Sequence, residues 1–296
     1  MGKFAKAETQ AASVIKALQR QGDLKSFSTA ETYNQALIRV CRYMKGERLG
    51  SLRDLTVENA MNYLDLRSEE VGQKTLDQDR HAIQFMMQHL TKKIAVSERL
   101  ACVKSDTPQI LASRSYTTEQ VSMITNAQRG ANELATQIAY AAGLRGHELL
   151  SLRPIGEREP SLTTKNPLTT KFKGRDGERY TVKGKGGLIR EVVLPKVLAT
   201  QLESLRLNTP QRVTDRGIHY QQNYKINGGK NWASSFSKAS QRALGWSSGA
   251  HGLRHSYAQE RMHQLQHSGL ARIDALKTVS QEMGHFRPYI TETYLR

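Results

Sequence analysis

The chain has 296 residues, more than one domain usually holds, and its 38% apolar and 24% charged content suits two soluble domains with buried cores. No apolar run reaches the roughly 18 residues that span a bilayer, and no signal-peptide core opens the chain, so a soluble, cytoplasmic protein is expected rather than a membrane one. Lys plus Arg number 44 against 27 Asp plus Glu, a formal charge of +17, which favours a polyanionic partner through counterion release.

From Ala5 to Lys93 the pattern is helical, with about four amphipathic helices separated by short polar turns. The stretch "STAETYNQALIRVCRYM" predicts a capping box of Ser28 with Glu31 and an inward face of Tyr33, Leu37, Val40, Cys41 and Met44. Tyr63 and, further on, Tyr140 read as core in the same way. Basic residues such as Arg39, Arg42, Lys45, Arg48, Lys92 and Lys93 gather toward helix ends, on a solvated or a DNA-facing side. Cys41 and Cys102 are far apart, sit among apolar residues and lack C-x-x-C spacing, so both are expected to be buried free thiols.

Residues 105–115 lack helical period and contain a proline, which divides the chain into a domain of residues 1–104, a linker, and a domain of residues 116–296. A helix capped by Thr117 or Thr118 follows, then the apolar helix of "ELATQIAYAAGLRGHELLSL". Between about 168 and 195 the period becomes two, predicting three short strands with turns at "RDGE" and "GKGG". Helices resume at "KVLATQLESLRL"; the stretch 208–232 shows no clear period, and helical patterning returns from Trp232 onward.

Four stretches of the second half carry chemistry: "GLRGHELLSL" with Arg145 and Glu148, "VKGKGGLIREVVLP" with Lys185, "HGLRH" with His251 and Arg254, and "GHFRPYITETYLR" with His285 and Tyr294. In this order they resemble the tyrosine recombinase (phage integrase) family. The resemblance covers residues 116–296 by motif and the first half only by architecture. It implies a mainly α fold: an N-terminal helical bundle, the SAM-like core-binding domain, and a mostly helical catalytic domain with a small three-stranded antiparallel sheet. It assigns catalytic roles to Arg145, Lys185, His251, Arg254, His285 and Tyr294, with Lys183 near enough to compete for the lysine role. Tyr289, only four residues after His285, falls outside the expected nucleophile spacing.

The chemistry also follows from the side chains. Two guanidinium forks match the charged oxygens of a phosphodiester in its pentacoordinate transition state, with His285 as a further hydrogen-bond donor. A tyrosine titrates near 10, so Tyr294 needs a base, for which His251 is the candidate, while Lys185 would protonate the leaving 5′ oxygen. A covalent 3′-phosphotyrosyl bond conserves the phosphodiester energy, so no cofactor, nucleotide or metal is expected. "GKGG" lacks the ending of a phosphate loop, and the His251/His255 and His263/His267 pairs lack a third metal ligand.

The resemblance further implies duplex DNA with specific sites as partner, a homotetramer on DNA, and DNA-bending accessory proteins. Only Leu295 and Arg296 follow Tyr294, so a family segment that docks on a neighbouring protomer is expected to lie outside this sequence or to be replaced by another element. A type IB topoisomerase, an inactive site-binding protein and a metal-dependent nuclease remain alternatives.

Overall fold

The computed structural model of the chain describes residues 4–162, 166–285 and 287–296; the side chain of Lys185 also lies outside the described set. The chain forms two compact units, Met1–Ile110 and Leu111–Arg296.

The first unit is built from α1 (Ala7–Arg20), α2 (Phe27–Gly46), α3 (Val57–Ser68) and α4 (Gln73–His89). Their apolar stripes meet in one core that includes Leu18, Leu37, Val40, Cys41, Met44, Leu64, Ile83 and Met86. Tyr63 is buried with its hydroxyl on Asp79, 2.9 Å away, whereas Tyr33 is only half-buried. The cap of α2 is Ser26 rather than Ser28: its hydroxyl accepts the Thr29 N–H, so the helix begins two residues earlier than the Ser28–Glu31 spacing suggests. Cys41 is buried, but Cys102 is exposed, because it follows α4 in an extended segment with its Sγ toward Asp77 at 3.6 Å. Three of the basic residues near helix ends have partners within the unit, among them Arg42 on Glu8 at 2.7 Å. Arg39 binds the buried carboxylate of Asp79 at 2.5 Å, and Lys93 Nζ donates to the Leu55 carbonyl at 2.9 Å.

The second unit opens with α5 (Thr118–Asn126), capped by Thr117 in a reciprocal box with Gln120, and the apolar α6 (Ala131–Ala142). A three-stranded antiparallel sheet follows, β1 (Arg153–Pro154), β2 (Glu178–Lys183) and β3 (Ile189–Leu194), in that spatial order. The sheet corrects one expectation. Its third strand is Arg153–Pro154, not a segment near 168, and "TTKFKG" forms turns anchored by the Phe172 N–H on Glu282 at 2.8 Å. "GKGG" does join β2 to β3, whereas "RDGE" leads into β2 instead of joining two strands.

Then come α7 (Lys196–Ser204), a second two-stranded sheet of β4 (Arg206–Asp215) and β5 (Ile218–Tyr224), and the helices α8 (Gly229–Leu244), α9 (Gly252–His267), α10 (Arg272–Glu282) and α11 (Pro288–Glu292). The sheet, α6 and α8 share a core around Trp232, Phe236, Ile138, Val182 and Val192. A smaller cluster of Tyr257, Met262, Val279 and Met283 includes Tyr294. No helix among the described residues is long and apolar enough to cross a membrane.

Candidate active site

The site begins where α6 stops. Gly143 closes that helix in the left-handed conformation, at φ 58°, and a Cβ there would lie 2.7 Å from the Tyr257 ring. The reversal buries Leu144 and presents Arg145 just before a 3-10 turn, Glu148–Ser151. The Glu148 side chain is completely buried. It accepts the Arg145 backbone N–H at 2.8 Å, Arg145 Nη1 at 2.9 Å and Arg190 Nη2 at 2.7 Å, and stands 3.8 Å from Arg254 Nη1. Burial alone would raise its pKa. The charges of Arg190 and Arg254, the Arg190 hydrogen bond and the charge of Arg145 overcome that and hold the carboxyl far below its usual range. Glu148 is therefore the fixed anion from which the cationic groups are hung.

Arg254 lies in the first turn of α9 and is fully buried. Its Nη1 donates to the Gly143 carbonyl and its Nη2 to the Met283 carbonyl at 3.2 Å, while Nε has no partner among the described atoms. Burial, then the Arg145 charge, push its pKa down to about 10, still well above neutral. The Nη2 atoms of Arg145 and Arg254 both sit 3.3 Å from His285 Nε2. Since a guanidinium only donates, Nε2 is the acceptor, and Nδ1 carries the proton toward Thr291 Oγ1 at 3.1 Å. Burial, then Arg254, Arg145 and Arg190, lower the His285 pKa to about 3, so the ring is neutral.

Tyr294 closes this arrangement. Its ring centroid lies 4.8 Å from that of His255, 5.3 Å from His285 and 5.4 Å from His251, and Arg254 Cζ stands 5.6 Å from it. Only 8% of Tyr294 is exposed, against 60% of Tyr289, whose hydroxyl takes a hydrogen bond from Arg287 on the outside. His251, at the cap of α9, keeps much of its surface in solvent. Desolvation of the ring where it abuts the protein, then the charges of Arg254, His255, Arg114 and Arg145, depress its pKa and leave it uncharged. His255 is buried with its Nδ1 unpartnered among the described atoms, and burial, then Arg114, lower its pKa to about 4.

Five of the six residues singled out in the sequence, Arg145, His251, Arg254, His285 and Tyr294, thus converge. The sixth, Lys185, starts a short 3-10 turn between β2 and β3, and its side chain lies outside the described residues. Lys183 ends β2 with an exposed side chain, its backbone N–H on Ser151 Oγ at 2.9 Å. Sequence reasoning missed Arg190. It is buried in β3 and joins Glu148 to the Glu282 carbonyl at 2.8 Å and to the Gly143 carbonyl at 3.4 Å. The signal was present in the alternation of β3, where an arginine holds an inward place among Val192 and Leu194. Gly284, at φ 71°, lets the chain pass this arginine, since a Cβ there would lie 2.8 Å from its Cδ. Among the described residues no group of three His, Cys, Asp or Glu side chains could hold a metal ion.

No protein-family profile matches the sequence, and no curated protein matches it. Solved structures do match. The XerH site-specific recombinase bound to difH substrate, in a pre-cleavage complex, superposes with a TM-score of 0.58 at 19% identity over 98% of this chain and 81% of that one. The Tn1549 transposon integrase with transposon right end DNA gives a TM-score of 0.53 at 17% identity over 99% and 95%. A lambda integrase tetramer bound to a Holliday junction gives 0.57 at 15% identity over 98% and 77%. The fold of this chain is that of the tyrosine recombinases and integrases.

Proposed function

We propose that the chain is a tyrosine recombinase that cleaves and rejoins duplex DNA at specific sites through a covalent bond to Tyr294. One observation carries this: a buried tyrosine packs against a guanidinium that converges with a second one on a single histidine nitrogen. The paired forks of Arg145 and Arg254 suit the non-bridging oxygens of a phosphodiester, and they are held in place before substrate arrives.

In the reaction, Tyr294 Oη attacks phosphorus, the P–O5′ bond breaks, and a 3′-phosphotyrosyl bond and a 5′ hydroxyl result. The phenolic proton passes to His251, which is uncharged and able to accept it. A phosphate docked on the guanidinium groups offsets the charges that depress this histidine, so its proton affinity rises as the phenol ionises. Lys185 supplies the proton to the 5′ oxygen, a role that rests on its position in the turn between β2 and β3. His285 accepts hydrogen bonds from both arginines in the present arrangement, so donating to phosphate requires a proton on Nε2, which the dianionic transition state favours. Rejoining is the same step reversed, with no nucleotide and no metal. Assembly as a homotetramer on two sites follows from the resemblance and from the tetrameric lambda integrase on a Holliday junction. Integration or excision of a mobile element is the task such an enzyme would serve, with bending proteins as accessories.

The test is covalent capture on a nicked suicide duplex in EDTA. Wild type and Tyr289→Phe are expected to form a protein–DNA adduct that survives denaturation, and Tyr294→Phe to bind DNA but form none. An adduct with Tyr294→Phe, or capture only with added Mg²⁺, would overturn the proposal.

A further inference from the structure

The chemistry above makes no use of the second sheet of the catalytic unit. β4 and β5 pair in antiparallel register, with Arg212 opposite Gln221, Val213 opposite Tyr220 and Thr214 opposite His219. Paired residues share a face and the faces alternate, so the ribbon has two chemically distinct sides. The inner side rests on the protein: Val213 and Tyr220 are half-buried, and the Tyr220 ring lies 6.3 Å from that of His147, two residues beyond Arg145. Asp215, the carboxylate of this hairpin, is also spent inward, accepting the Lys230 N–H at the start of α8 at 2.8 Å.

The outer side holds Arg212, Gln221, Thr214 and His219, all exposed, with Arg216 exposed at the turn. It carries no carboxylate, the exposed Ile218 at the tip is paired with Asp215 on the other face, and neither Arg212 nor Arg216 makes an ion pair among the described residues. A surface made to dock another protein would present apolar area at its centre. This one presents a positive fork beside an amide, the two side-chain types that bind guanine and adenine edges bidentately. A two-stranded ribbon also fits the major groove of B-form DNA.

We propose that the outer face of the β4–β5 hairpin reads bases in the major groove beside the cleaved phosphate, Arg212 and Gln221 as the reading pair and Arg216 on the backbone. The proposal rests on the DNA reading of the active site and adds a source of sequence specificity. Anchoring through His147 ties the reader to the segment that presents Arg145, so bases are read close to the scissile bond.

The experiment is equilibrium selection by the full chain from a randomised duplex library, followed by affinity measurement on the selected and a scrambled site. Wild type is expected to select a motif containing purines. Arg212→Ala/Gln221→Ala is expected to lose about tenfold or more of the discrimination while its thermal midpoint is unchanged. Arg212→Lys, which keeps the charge without the fork, is expected to keep affinity and lose preference at one position. Arg216→Ala should weaken both sites alike and reduce the salt slope by about one. An unchanged motif and discrimination in the double variant, or no motif for wild type, overturns the hairpin proposal. Neither result depends on covalent capture by Tyr294, so the strand-cleavage chemistry stands or falls separately.

Discussion

The guanidinium of Arg254 lies 5.6 Å from the centre of the Tyr294 ring, which sets the phenol against a cation held on three sides by protein. Lysine at position 254 would keep the charge but not the planar fork that reaches Gly143, Met283 and His285 together. Arg254→Lys is therefore expected to reduce the rate of covalent capture by about 100-fold or more while DNA affinity changes only a few-fold. Single-turnover capture alongside equilibrium binding measures both.

Glu148 is the buried anion shared by Arg145, Arg190 and Arg254. Its replacement leaves like charges facing one another without a counter-ion, and breaking a buried pair in this way costs about 3–5 kcal/mol. Glu148→Ala is expected to lower the unfolding midpoint of the second unit by roughly 6 °C or more. Calorimetry on the full chain, in which the first unit serves as internal reference, reads this loss.

Acid should loosen the site before it affects ordinary carboxylates. His285 has a pKa of about 3 in the folded chain and His255 about 4, both below the usual 6.5. Between those values the unfolded chain binds more protons than the folded one, so stability rises with pH. Their contribution is complete above about pH 6.5 and is lost progressively as pH falls toward the folded values. The midpoint of the second unit should fall between pH 7 and 4.5, and His285→Asn should flatten that dependence. An equally steep slope in the variant would remove His285 as its source.

The end of β2 and the turn that follows it offer two lysines for one role. Lys185→Ala should block cleavage of ordinary DNA and recover on a 5′-phosphorothiolate, whose sulfur leaves without a proton. Lys183→Ala should lose little, because the structural contribution of that residue, its backbone N–H on Ser151, survives truncation. Rescue of Lys183→Ala alone would move the role by two residues.

Legibility in the sequence followed how local each feature is. Helical period gave the four N-terminal helices, and Thr117 or Thr118 offered a cap for α5, a choice the Thr117–Gln120 box decides, because caps and stripes are set by residues three or four apart. The short strand Arg153–Pro154 has no pattern of its own and exists only by pairing with Thr181 and Tyr180. The β4–β5 hairpin escaped because most of β4 is exposed, so no apolar alternation marks it. Order and residue type marked the site cluster itself. The bonds that hold it, between Arg190 and Glu148 or between Arg254 and Met283, join segments far apart in the chain, and no spacing encodes them.

Arg190 gives the assembly a mechanical property. One side chain of β3 grips the loop that presents Arg145 and the end of the helix that precedes His285. The same strand runs back into the turn that bears Lys185. Any shift of that turn along β3 thus bears, through this one side chain, on both the Arg145 loop and the end of α10.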